Sequence, residues 1–223
     1  MNTVLYVALG KGYAAEANLS IQSLRGSIAN RNLTVCVATD CPKQIQGPVE
    51  FLDWEPLRTA SGSSVKINLL RRPKVLFLDT DTHVVGSLAP VFQLLDRFDF
   101  CAAHAPIRFT VDSGIPSSFP EFNSGVFAYR GTCPKVDRFF QAWRSKFRHL
   151  GLSPDQPSMR ASLYDSDLRI ATLPPEYNVR TITGGYLWGN PVIVHGRPVE
   201  QLARFAESLG SGNRPRLFQQ LVV

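Results

Sequence analysis

The sequence predicts a single α/β domain built on a mostly parallel sheet flanked by helices. Three observations carry this. The chain has 223 residues, 44% of them hydrophobic, enough for one substantial core. Its N-terminal segment runs strand, glycine turn, helix, strand, the order of a βαβ unit. Further on, Lys74-Val75-Leu76-Phe77-Leu78 is a buried-strand pattern that runs straight into Asp79-Thr80-Asp81, where an α/β sheet opens onto a ligand crevice.

Each element follows from local pattern. Thr3 to Ala8 is a strand, Gly10-Lys11-Gly12 a turn, and Tyr13 to Leu24 a helix, with Ala14, Ala17, Ile21 and Leu24 at helical spacing. Leu33 to Thr39 is a β-branched strand, and Val49 to Leu52 a short one. A helix from about Ser63 to Leu70 carries Lys66, has Ser61 or Ser63 as N-cap, and is stopped by Pro73 before the Asp79 strand. Thr82 to Leu88 is extended with a Gly86-Ser87 break, Ala89 to Leu95 is a short helix, and Phe98 to Ala103 is a strand.

Ala105 to Glu121 is rich in Pro, Ser and Gly and reads as a long surface loop. Phe122 to Tyr129 is an apolar strand. Lys135 to Leu150 is an amphipathic helix, and a further helix opens at Asp155-Gln156 with Ser153 as N-cap, where Asp155 also suits the helix dipole. Arg169 to Leu173 is a strand stopped by Pro174-Pro175. Gly184 to Asn190 holds Tyr186 and Trp188 between glycines, which suits either a loop closing over a substrate or a turn packing its Trp inward. Val192 to Val194 is a buried strand that delivers His195, and Pro198 to Ser208 is the last helix. The domain is expected to cover residues 1–209, with residues 210–223 a polar, frayed tail.

The net charge of +6 favours anionic partners. Basic residues Arg138, Arg144, Lys146 and Arg148 punctuate the Lys135 to Leu150 helix, whose apolar side holds Phe139, Phe140, Trp143 and Phe147; a solvated face over a packed one is the preferred reading. Nucleic acid is not expected as a partner, and any membrane-surface association is expected to be weak. Cys36, Cys41, Cys101 and Cys133 have neither metal-ligand nor disulfide-framework spacing, and no apolar run reaches the length of a membrane span. A cytoplasmic location is the expectation.

Side chains alternate faces along a strand, so Asp79 and Asp81 can point to one side and offer oxygens to a hard divalent cation. His195, at the end of a separate buried strand, can add an imidazole nitrogen.

Taken together, Leu76 to Thr82, Phe122-Asn123-Ser124-Gly125-Val126, Asp155-Gln156, Leu173-Pro174-Pro175-Glu176-Tyr177-Asn178 and Val194-His195-Gly196 resemble the metal-dependent nucleotide-sugar glycosyltransferases of the GT-A fold, a Rossmann-like mixed sheet. The glycogenin-like and bacterial galactosyltransferase-like groups are the most similar. The resemblance implies that Asp79, Asp81 and His195 hold Mn²⁺ or Mg²⁺ against the diphosphate of a nucleoside diphosphate sugar, with a UDP-sugar expected. It implies that Tyr13 stacks on the base, Leu9 lines the base pocket, and Lys66 contacts phosphate or sugar. Asn123 lies near donor sugar or acceptor, and Asp155 and Gln156 lie beneath the anomeric carbon as the catalytic pair. The acceptor is expected to be a glycan, lipid-linked or small molecule, and the reaction to retain anomeric configuration.

Two departures from the family pattern stand out. Only Arg71-Arg72-Pro73 separates the Lys66 helix from the metal strand, and His195-Gly196-Arg197-Pro198 is compressed, so that Arg197 replaces a lysine of the family or the phosphate contact is lost. Two other readings stand beside the transferase. A sugar-1-phosphate nucleotidyltransferase would carry a Gly-rich basic loop after the first strand, of which Gly10-Lys11-Gly12 is a poor version. A catalytically degenerate sugar-nucleotide binding protein would not need Asp79, Asp81 and His195 intact.

Overall fold

A computed structural model describes residues 1–53, 62–68, 70–107, 114–151 and 154–221. The expected βαβ unit is present: β1 (Asn2–Ala8), α1 (Lys11–Gly26) and β2 (Thr34–Thr39), with β2 parallel to β1. Gly10 alone makes the turn, at φ +88°, a region in which a side chain would be strained. Lys11 and Gly12 already belong to α1, so the turn is shorter than its sequence suggests.

β3 (Glu50–Phe51) lies parallel to β2, and β4 (Lys74–Leu78) parallel to β1 on its other side. The direction then reverses. β7 (Phe122–Tyr129) runs antiparallel to β4, β6 (Phe100–His104) antiparallel to β7, and β8 (Ile170–Leu173) parallel to β6. The seven-stranded sheet has the order β3-β2-β1-β4-β7-β6-β8. The reversal sets the start of β7 beside the end of β4, so that Phe122 to Gly125 meet the residues that follow Leu78.

Period-two alternation sorts the strands between two cores. Val4, Tyr6, Leu76, Leu78, Val126 and Ala128 face one layer, closed by α1 and by α3 (Ala89–Leu94) through Ile21, Leu24, Val91 and Phe92. Leu5, Val75, Phe77, Phe127 and Tyr129 face the other, closed by α4 (Pro134–Leu150) and α5 (Gln156–Tyr164). There Phe127 stacks on Phe77 at 4.8 Å between centroids and meets Trp143 edge-on at 5.6 Å, offset and edge geometries that suit aromatic quadrupoles. The basic residues of α4 stay outside this core, and Arg138 and Lys146 pair with Asp167 and Asp165.

A second, three-stranded sheet is made by β5 (Thr82–Val84), β9 (Val179–Arg180) and β11 (Ile193–His195), with β11 antiparallel to β5 and parallel to β9. The two-residue β9 has no signature in the sequence; its pairing with β11 creates it. Two expectations for the C-terminal region are corrected. Residues 184–190 are neither a free loop nor a turn with an inward Trp: Gly185–Leu187 forms β10, and Trp188 is 57% exposed. The tail does not fray throughout, because Arg216–Phe218 forms β12, antiparallel to β10, which gives backbone groups of the tail their partners.

The last helix is α6 (Leu202–Ser208), preceded by a separate 3-10 turn over Val199–Gln201 rather than continuous from Pro198. α2 (Gly62–Lys66) is shorter than the expected helix. The expected N-caps Ser61 and Ser153, and residues 108–113 of the expected long loop, lie outside the described residues. No described helix is long and apolar enough to cross a membrane.

Candidate active site

Backbone pairing assembles the acidic cluster. The Asp79 N–H donates to the Gly125 carbonyl at 2.8 Å, which fixes Asp79 against the start of β7. Thr82 is opposite His195 in the β5–β11 ladder, and the Gly196 N–H donates to the Asp81 carbonyl at 2.8 Å. Asp81 and His195, more than a hundred positions apart in sequence, are thereby held side by side. Ligand atoms of Asp79, Asp81 and His195 all lie within 4.8 Å of one another. His195 Nε2 is 3.3 Å from Asp81 Oδ1 and 3.8 Å from Asp79 Oδ2.

His195 Nδ1 lies 2.8 Å from Asn178 Oδ1. With that oxygen accepting, Nδ1 carries a proton and Nε2 is the nitrogen turned to the two carboxylates, the one that would ligate a metal. Two carboxylates and one such imidazole fit Mn²⁺ or Mg²⁺. Gly125 is the residue that lets them close: a Cβ there would overlap the Asp79 carboxylate and the His195 ring.

Cations surround the cluster. Lys66 is buried, with Nζ 2.9 Å from Asp155 Oδ2 and 3.6 Å from Asp79 Oδ1, and it donates to the Ser124 carbonyl at 3.1 Å. The short connection through Arg71-Arg72-Pro73 therefore does not keep Lys66 from the cluster. Arg197 donates to Asp81 Oδ2 at 3.0 Å and forks onto Glu16 at 2.7 and 2.9 Å. Glu16 in turn accepts the Thr80 hydroxyl at 2.6 Å.

The carboxylates respond in opposite directions. Burial works against charge on Asp81, but His195, Arg197 and Arg180 outweigh it and hold its carboxyl well below the usual range. Burial pushes Asp79 up, Lys66 and His195 pull it down, and Asp81 and Asp155 push it up again, with a net rise. Burial also opposes the Lys66 charge, yet Asp155 and Asp79 raise its pKa above the ordinary lysine value. Burial lowers that of Arg180. An extra positive charge between Asp79 and Asp81 would relieve their mutual repulsion.

The second half of the site lies at the head of α5. Asp155 occupies the N-cap position but makes no side-chain cap bond. Beyond its place at the helix dipole, its carboxylate faces Lys66 and accepts the Ser124 hydroxyl at 2.9 Å. Gln156 Oε1 is 3.5 Å from Asn123 Nδ2, and Asn123 Oδ1 accepts the Gly125 N–H at 3.0 Å. Asn123, Asp155, Gln156, Lys66, Asp79, Asp81, His195 and Arg197 thus form one connected group.

Tyr13 and Leu9 sit at its margin. Tyr13 is 52% exposed on α1 and touches the group through Arg197, whose guanidinium carbon is 5.7 Å from the ring centroid. Leu9 follows β1 directly and is half-buried. Sequence reasoning missed Glu16, Ser124, Asn178 and Arg180 as members of the site. Ser124 and Asn178 lie inside the segments that carry the family resemblance and so had a signal; Glu16 and Arg180 had none, because their partners are remote in sequence.

No protein-family model and no curated protein matches this sequence. Solved structures do. The galactosyltransferase LgtC, in complex with donor and acceptor sugar analogues, has a TM-score of 0.63 at 15% identity, over 94% of this chain and 97% of that one. The chain has the GT-A glycosyltransferase fold. An active-site variant of LgtC, with Gln replaced by Glu, gives 0.65 at 14% identity over 92% and 95%. The glycosyltransferase GlyE of Streptococcus pneumoniae TIGR4 gives 0.64 at 16% identity over 92% of this chain and 61% of that one. This GT-A chain therefore spans under two thirds of GlyE and nearly all of LgtC.

Proposed function

We propose that this chain is a metal-dependent glycosyltransferase that moves a sugar from a nucleoside diphosphate sugar, a UDP-sugar first among them, to a hydroxyl of a glycan, lipid-linked or small-molecule acceptor in the cytoplasm, with retention of configuration. The observation that carries this is the convergence of Asp79, Asp81 and His195 beside the Lys66–Asp155 pair and Gln156, on a GT-A fold.

Asp79, Asp81 and His195 Nε2 would hold the cation. A bound Mn²⁺ or Mg²⁺ supplies Lewis-acid stabilisation of the charge left on the diphosphate when the glycosyl bond breaks. Arg197, anchored by Glu16, offers its guanidinium to the same phosphates, and Tyr13 beside it offers a face for the base, with Leu9 lining that pocket. Lys66 holds Asp155 in place and lends positive charge on the sugar side. As the sugar centre becomes oxocarbenium-like, the Asp155 carboxylate and the Gln156 amide oxygen stabilise it from one face, while Asn123 orients Gln156 or a sugar hydroxyl.

The test is release of nucleoside diphosphate from a panel of nucleoside diphosphate sugars, with Mn²⁺ or with chelator. Metal-dependent release abolished in Asp81→Ala is the expected result. Pyrophosphate-dependent turnover would instead identify a nucleotidyltransferase, and donor binding without turnover, with acceptors present, a binding protein.

A further inference from the structure

We infer that Glu121 is a positioning residue that fixes the amide of Gln156 with its oxygen turned toward Asn123 and the reacting centre. The inference rests on the proposed transferase reading for its consequence, and on geometry for its substance. An amide side chain has two ends of similar shape, and its orientation is decided by what each end meets. One end of Gln156 lies 3.0 Å from Glu121 Oε1 and 3.5 Å from the Ile107 carbonyl oxygen. Both are acceptors, so that end is the NH₂; the reversed amide would set oxygen against a carboxylate oxygen.

The far end is decided independently. The Gly125 backbone N–H can only donate, so Asn123 turns its oxygen to Gly125 and its NH₂ to Gln156. That NH₂ requires an oxygen opposite it. The two ends of the chain Glu121, Gln156, Asn123, Gly125 thus demand the same orientation, and neither depends on a choice made at the other.

Glu121 is itself held. It is 1% exposed, its carbonyl accepts the Ala105 N–H at 2.9 Å, and its Oε2 is 3.4 Å from Arg160 Nε. Arg160 is anchored in turn by the carbonyls of Pro116 and Phe119 at 3.0 and 2.8 Å. Paired with the Arg160 guanidinium, the Glu121 carboxylate serves as an acceptor. An amide at 121 turns its NH₂ to Gln156 when its oxygen faces Arg160, which can only donate; the two ends of Gln156 then demand opposite orientations, and the single one is lost.

The experiment compares Glu121→Gln with the unmodified protein in two readouts. The side-chain amide resonances of Gln156, assigned by their loss in Gln156→Ala, report orientation without any turnover; they are expected to shift or double in Glu121→Gln. In the transferase assay kcat is expected to fall about tenfold to a hundredfold with donor KM unchanged, while in the Gln156→Ala background the same substitution changes kcat less than about twofold. If Glu121→Gln does not fold, Glu121→Gln with Arg160→Gln removes both charges and takes its place. Unmoved Gln156 resonances, or a kcat loss that persists in full without Gln156, would overturn the inference. A protein that transfers no sugar refutes the proposed function and leaves the resonances to decide this one.

Discussion

Lys66 Nζ stands 2.9 Å from Asp155 Oδ2 and so ties α2 to the head of α5 across the start of β7. Both side chains are under a tenth exposed. The pair joins the acidic cluster that follows β4 to the Asp155-Gln156 end of the site, and removing either partner strands a charge.

Lys66→Met is expected to destabilise the fold by about 3 kcal/mol or more, because it leaves Asp155 buried, and the half-buried Asp79 beside it, without their cation. Thermal melting at neutral pH checks this. The folded pKa of Lys66 is raised, so its contribution is complete below the ordinary lysine value of about 10.4 and is lost only as pH rises through the raised one. Between pH 6 and 9 the deficit of the variant should therefore stay constant.

Mn²⁺ is expected to raise the melting temperature of the unmodified protein, by about 2.7 kcal/mol of stability at a hundred times its Kd, with reversal by chelator. Asp81→Asn and His195→Ala should show no such rise. Calorimetric titration with the metal alone gives the same comparison without heating.

Gly125→Ala is expected to weaken metal binding about tenfold to a hundredfold, since its methyl group displaces both the Asp79 carboxylate and the His195 ring. A Mn²⁺ titration followed by paramagnetic resonance reads this directly.

Asp99→Asn is expected to melt lower than the unmodified protein at pH 7, with the difference closing below about pH 4. The hydrogen bond from Arg169, 3.0 Å from Asp99 Oδ1, is the largest cause holding the Asp99 carboxyl below its usual range. A depressed folded pKa adds stability above the unfolded value and loses it as pH falls through the folded one. Melting curves across that range check the sign.

Trp188→Ala is expected to change stability by less than about 0.5 kcal/mol, as suits an exposed side chain. The segment is held instead by backbone N–H groups of Trp188 and Gly189 on Glu176 Oε1, at 2.6 and 2.7 Å. Chemical denaturation of the variant measures it.

The sequence by itself determined the strands of the βαβ unit, the strand ending at Asp79, the amphipathic α4, and the segments that hold Asn123, Asp155-Gln156 and His195. These are legible because periodicity and breaker residues act over a few neighbours. What only the tertiary structure decided is how they meet. The antiparallel turn of β7 against β4 sets Gly125 on Asp79, the β5–β11 ladder sets His195 on Asp81, and both depend on ladder partners remote in sequence. Arg180, Glu16 and Asp155 show the same limit: a charged side chain takes its role from whichever opposite charge folding brings within reach, and no local pattern encodes that choice.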